Sequence, residues 1–213
     1  MLTQELPAGQ KWREFEMKAL ALRDFARVSS EEALNPFELA RFANLLVVEF
    51  SRIKGLSKQA REHLLGSASE DWSGGACARA LPDGQRIVVL NPNHGRARTN
   101  ATLMEEISHV FLGHQPSKLK IVADDAGGQT LARDYRKADE EAAYAIGAAA
   151  LVPFAALRKF VLQGNSAVAI AKRLRVSRSL VEYRLKVTRL WHIYKAAHQG
   201  EKAAHGGRPE RAL

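Results

Sequence analysis

Glu105, Glu106 and His109 stand close together in the run Thr-Leu-Met-Glu-Glu-Ile-Ser-His-Val-Phe-Leu-Gly-His, residues 102–114. Each helical residue turns the chain by about 100°, so Glu105 and His109 fall roughly 40° apart on one helix face. A carboxylate and an imidazole so placed can hold a divalent cation. A glutamate directly after the first ligand then stands where it can take a proton from a cation-bound water. The order differs at one place from His-Glu-x-x-His, in which two imidazoles hold zinc and the glutamate is the base. Glu105 occupies the position of the first imidazole. Two carboxylates and one imidazole would neutralise a divalent ion and leave its water less acidic than two imidazoles and one carboxylate would. An oxygen-rich set also suits harder ions such as manganese better than a histidine-rich one. The competing reading is a helix whose Glu105 pairs with a basic side chain and binds no metal.

The elements that would position these groups are readable around them. Leu103, Ile107, Val110 and Phe111 lie opposite the ligands and predict an apolar stripe facing a core, with small Ser108 leaving room beside the metal. Gly113 fits a left-handed helix end, with Pro116 beyond it. Upstream, residues 86–90 predict a short strand that breaks at Asn91-Pro92. Downstream, a helix rich in small residues is predicted over residues 138–151, with Glu140 and Glu141 at its start and Val152-Pro153 closing it.

These segments together resemble the ImmA/IrrE-type metallo-endopeptidases of bacteria and their mobile elements, over about residues 35–153. Asn35-Pro-Phe-Glu-Leu-Ala40 is similar to that family's early helix, and Val89-Leu-Asn-Pro-Asn-His94 to its strand and turn. Residues 102–114 resemble its zinc helix, with Glu-Glu-x-x-His in place of His-Glu-x-x-His, and Glu140-Glu-Ala-Ala-Tyr-Ala145 with Ala149-Ala-Leu-Val-Pro153 resembles its ligand helix. The resemblance implies a zincin-like core, one divalent metal with zinc first and manganese or iron as alternatives, and a protein or peptide substrate, often a cytoplasmic transcriptional repressor. By position it implies Glu105, His109 and Glu141 as metal ligands and Glu106 as general base. Glu140 is the second choice for the third ligand, since the stretch from Glu141 to Pro153 runs one residue longer than the family pattern. His114 matches a histidine the family commonly carries after its glycine, as an orienting or substrate-side group. A relative that has lost catalysis and keeps the scaffold to bind a partner is the alternative.

Composition agrees and excludes little else. The chain has 213 residues, 46% of them hydrophobic, enough for one domain with a real core plus an extension. A single cysteine, Cys77, cannot form an internal disulfide, and no stretch resembles a signal peptide, so a reducing cytoplasm is expected. The longest apolar stretch, residues 142–156, is alanine-rich and shorter than the roughly 20 residues a bilayer needs. Helices are predicted over residues 12–27, from Asn35-Pro36 through Leu39, Phe42, Ala43 and Leu46, and over residues 57–65. A loop at residues 73–76, a strand through residues 77–81 and a turn at Pro82-Asp-Gly84 complete two antiparallel strands. The expected fold class is α+β, mostly helical.

After Pro153 the character changes. A helix over residues 154–162 is followed by residues 166–185, which resemble a helix-turn-helix with its turn at Arg175-Val-Ser177. Ala171 is the small residue near the first helix's end, Val176 fills the corner, Ser177 caps the second helix, and Val181 and Leu185 face the core. Arg173, Arg175, Arg178, Arg184 and Lys186 are expected outside, and Arg175, Arg178 and Arg184 are candidate DNA contacts. The net charge of +9 suits this rival function, a DNA-binding regulator, because a positive face gains affinity by releasing counterions condensed on the phosphates. The expected organisation is a metallopeptidase domain at 1–160, a basic helical extension at 161–197 and a disordered tail at 198–213. His63, His94, His198 and His205 are expected at the surface, His94 being near enough in sequence to approach the cleft. The connection 116–137, with Asp124-Asp125 and Gly127-Gly128, is long enough to form a lid or substrate edge.

Overall fold

The computed structural model describes residues 5–77, 79–114, 119–123, 129–133 and 137–204. It is α+β and mostly helical. Its residues gather into two compact units, one made of residues 35–147 and the other of residues 1–34 with 148–213.

The unit 35–147 contains the sheet. Asn35 accepts a hydrogen bond from the Phe37 amide at 3.2 Å and caps α1 (Pro36–Phe42), with proline at the first position where its missing N–H costs nothing. The helix stops there, because Asn44 takes a left-handed φ of 55° and Leu45–Val48 becomes strand β1. The helical spacing expected to run on to Leu46 is therefore broken, and Phe42 and Leu46 are exposed (71% and 40%). After a single 3-10 turn (Phe50–Arg52), α2 (Lys58–Leu65) is capped by Ser57 as expected. The next strand lies earlier than expected: β2 is Gly74–Ala76, the stretch read as loop, and it pairs antiparallel with β3 (Arg86–Leu90). Strand β1 pairs parallel with β3, so the sheet is mixed, in the order β1-β3-β2, instead of two antiparallel strands.

Where β3 ends, Asn91 is buried and its amide nitrogen donates to the Ser69 and Trp72 carbonyls at 2.7 and 3.0 Å, while its oxygen accepts from the Asn93 amide at 2.9 Å. This tether fixes the entry to α3 (Arg96–Phe111), which packs on α1, β2 and β3. The buried stripe of α3 is Leu103, Met104, Ile107 and Ser108, rotated from the expected one: Phe111 is 46% exposed and Val110 only half-buried. Ser108 is buried, with its hydroxyl donating to the Met104 carbonyl at 2.8 Å, and so does not line a cleft. The helix ends as expected. Gly113 holds φ at 67°, and the amides of Gly113 and His114 bond back to the Val110 and His109 carbonyls, a left-handed cap that glycine makes without strain. The connection expected to serve as a lid contains an antiparallel hairpin, β4 (Leu119–Ala123) with β5 (Gln129–Arg133). Asp124-Asp125 and Gly127-Gly128 lie outside the described residues.

Helix α4 (Lys137–Leu151) begins in this unit, and its last turn, from Ala148, is grouped with the other. The second unit adds αN (Gln10–Phe25), α5 (Phe154–Leu162), α6 (Ala167–Leu174), α7 (Arg178–Val187) and α8 (Trp191–Ala204), with αN the first helix of the chain. Helices α6 and α7 occupy the stretch read as a helix-turn-helix, with Ser166 and Ser177 capping them and Ala171, Val176, Val181 and Leu185 buried. αN shares a unit with the C-terminal helices: Glu16 accepts from the Phe154 amide at 2.6 Å and from Arg184 at 2.5 Å, all three groups being buried. Residues 198–204, expected in the tail, continue α8, while 205–213 lie outside the described residues. Among the described residues no single helix is long and apolar enough to cross a membrane.

Candidate metal centre

Two helices of the unit 35–147 build the site. Gly147 sets their separation, since a Cβ there would come within 3.2 Å of the Met104 carbonyl oxygen and 3.3 Å of the Glu105 amide. Glycine near the end of α4 thus lets that helix lie against the backbone of α3 at Glu105. Glu140, one heptad before Gly147, is on the same face of α4. It therefore points at α3, whereas Glu141 is turned by about 100° and is exposed.

The consequence is a three-residue cluster. Ligand atoms of Glu105, His109 and Glu140 all lie within 4.8 Å of one another, each residue half-buried. His109 Nε2 is 3.4 Å from a Glu140 carboxylate oxygen. Glu140, the second choice from the sequence, is the one of the two that lies in this cluster, because it is on the helix face that packs on α3.

Electrostatics supports a cation here. The Glu105 carboxyl is pushed up to about 7, first by burial and then by the nearby carboxylates of Glu106 and Glu140. A carboxyl raised in this way by burial and neighbouring carboxylates is a place where a positive ion would lower the energy of the ionised form. Tyr144, one turn after Glu140 and 38% exposed, has its phenol raised by burial and by Glu105, which marks it as a neighbour of the same cluster. Glu106, half-buried on α3, follows Glu105 directly and contributes to the field that raises it.

Behind His109 lies a second histidine. Its Nδ1 is 3.0 Å from Nδ1 of His114, with the two rings edge to face at 5.1 Å between centroids. His114 Nε2 in turn is 3.7 Å from an Asp139 carboxylate oxygen, within ion-pair range but too long for a hydrogen bond. His109 therefore presents Nε2 to the carboxylates while Nδ1 is engaged by His114. That arrangement orients the ring and selects its tautomer. His114, for which the family resemblance implied an orienting or substrate-side role, is the residue in contact with His109 Nδ1. His94 is not in the cluster; both its ring nitrogens are shielded and lack a hydrogen-bond partner. Asp139, Tyr144 and Gly147 were not singled out from the sequence. The available signal was the lone glycine late in an alanine-rich helix, which marks the contact face and hence the phase of Glu140.

Of the candidate DNA contacts, Arg175 and Arg178 are exposed. Arg184 is not: it is 1% exposed, donates to the Val152 carbonyl at 3.0 Å and pairs with buried Glu16. It lies on the inner face of α7 beside Val181 and Leu185, so it is withdrawn from that set.

No curated protein and no solved structure matches the chain. A family model described as the IrrE N-terminal-like domain, of a peptidase family, matches residues 68–186, more than half of the 213 residues and the whole stretch from β2 to α7. The chain, with its two-helix carboxylate and histidine cluster, belongs to the IrrE N-terminal-like, ImmA/IrrE-type peptidase family.

Proposed function

We propose that this protein is a metal-dependent endopeptidase acting on a protein substrate, a cytoplasmic transcriptional regulator being the kind the family resemblance implies. The observation that carries the reading is the convergence of Glu105, His109 and Glu140 within 4.8 Å, with Glu106 next in sequence to the first of them. The cluster fits a divalent cation by the chemistry of its donors: two carboxylates and one imidazole, each half-buried, with one carboxyl raised by burial and by its neighbours. Zinc is the family's metal, and the oxygen-rich set makes manganese or iron the alternatives. When bound, such an ion supplies Lewis acidity and a more acidic water.

The chain's own groups supply the rest. Glu105, His109 and Glu140 would hold the cation, and two carboxylates would reduce its net charge relative to a two-histidine site. Glu106 receives the proton of the attacking water and delivers it to the leaving amine. His114 orients His109, and Asp139 faces the far nitrogen of His114.

The test is exposure of a cytosolic protein mixture to the metal-loaded chain, with new peptide termini read by mass spectrometry and Glu106→Gln as control. Glu106→Gln should keep the metal and lose the termini. Identical termini from the loaded wild type and Glu106→Gln would refute the catalytic reading.

A further inference from the structure

Helices α6 and α7 and the turn between them take no part in the metal cluster, and the outer face of α7 is polar and basic. We propose that this face, flanked by Arg175 and Arg189, binds duplex DNA through its phosphate backbone, with α7 lying in the major groove.

The two faces of α7 are sharply divided. Leu180, Val181, Arg184 and Leu185 are buried (4%, 0%, 1% and 0% exposed), and the ion pair of Arg184 with Glu16 clamps the helix in place. On the other side Arg178, Ser179 and Lys186 are exposed, with Glu182 and Tyr183 half-buried between them. Residues 179, 182, 183 and 186 follow one stripe of a helix. The hydroxyls of Ser179 and Tyr183 and the cations at the ends are the groups that contact phosphate oxygens. Arg175 in the turn before α7 and Arg189 just after it are both exposed, and both hold left-handed backbone (φ 55° and 62°). A residue with a β-carbon is strained in that conformation, and glycine at the helix-turn-helix position of Arg175 would not be. Arginine at these two points extends the positive face past both ends of the helix.

Charge and shape select the partner. Between Arg158 and Arg211 the acids are Glu182, Glu201 and Glu210 alone, against many lysines and arginines. A helix with its side chains is about 10–12 Å across and fits the roughly 12 Å major groove of B-form DNA. The deep, narrow major groove of duplex RNA does not admit it. Glu182 is the internal competitor: it accepts from Arg178 Nε at 2.6 Å and raises that guanidinium's pKa. On DNA, Arg178 exchanges this carboxylate for a phosphate, and Glu182 then opposes binding.

The test uses the full chain and a labelled mixed-sequence DNA duplex, with affinity read by fluorescence anisotropy as salt rises from ~50 to ~200 mM. Four phosphate-facing cations predict a roughly 100-fold loss of affinity over that range. Charge reversal at Arg178 and Lys186 together (R178E with K186E) should remove most of the binding while leaving metal content unchanged. Glu182→Gln should tighten it about threefold, an effect that misfolding cannot produce. No binding at ~50 mM salt, wild-type affinity in the double reversal, or an unimproved Glu182→Gln variant would overturn the proposal. Tighter binding to the same sequence as duplex RNA, or to phosphatidylserine vesicles, would overturn it in favour of that partner.

Discussion

Glu16 and Glu105 are both drawn out of water on helices, and they are treated in opposite ways. Glu16, 1% exposed, is met by a buried guanidinium and a backbone amide, so both of its oxygens are satisfied. Arg23 in the same unit is likewise enclosed: it donates to the carbonyls of Ala150, Ser29 and Glu32, and although burial lowers its pKa to about 10 it stays charged at neutral pH. Glu105 is instead pushed up to about 7, by burial first and then by the carboxylates of Glu106 and Glu140. The unit that holds Glu16 uses buried charge to fix helices; the unit 35–147 gathers like charges at one spot. A half-buried carboxyl raised in this way is a candidate binding group, and a cation beside it would offset both burial and repulsion.

Breaking the satisfied pair should have the largest effect. Arg184→Ala leaves Glu16 buried without a cation and should cost about 3–5 kcal/mol of stability, visible in urea unfolding. A loss below 1 kcal/mol would remove the contrast between the two units.

Relieving Glu105 should do the reverse in the metal-free protein. Its folded pKa of about 7 lies above the ordinary 4.5, so the native state holds the proton more tightly and loses stability as pH rises through that interval. Glu105→Gln should therefore match the wild type near pH 4 and exceed it by about 3 kcal/mol at pH 8, measured by thermal unfolding in chelator. The same substitution should weaken divalent metal binding.

Smaller effects sharpen the geometry. Asp139→Asn and His114→Ala should each weaken metal binding about 10-fold or more in chelator competition, because they loosen the ring of His109 without removing a ligand. Gly147→Ala gains roughly 1 kcal/mol of helix propensity, yet it must push α4 off the α3 backbone. Net destabilisation by about 1 kcal/mol with a several-fold loss of metal affinity is expected; a stabilised protein with unchanged metal binding would show that the close approach does not set the site.

The sequence carried the local grammar well and the phase of packing poorly. Caps at Asn35, Ser57, Ser166 and Ser177, the glycine stop at Gly113 and the break at Asn91-Pro92 were legible, because each depends on one side chain acting on its own backbone. Strand β1 was hidden, since Leu45, Leu46, Val47 and Val48 are all apolar and show no alternation to separate a strand from a helix. The choice between Glu140 and Glu141 was equally hidden, because both begin the same helix and only its contact with α3 at Gly147 tells them apart. Arg184 misled for the same reason. An arginine in a basic run reads as solvated, and its partner Glu16 is 168 residues away.

The most direct test is elemental analysis of the chain purified without added metal, alongside Glu140→Ala, Glu141→Ala and His109→Ala. About one equivalent of zinc, manganese or iron in the wild type and in Glu141→Ala, absent from His109→Ala and Glu140→Ala, is the result predicted from the cluster. No metal in the wild type after dialysis against these ions, or metal that depends on Glu141 and not on Glu140, would contradict it.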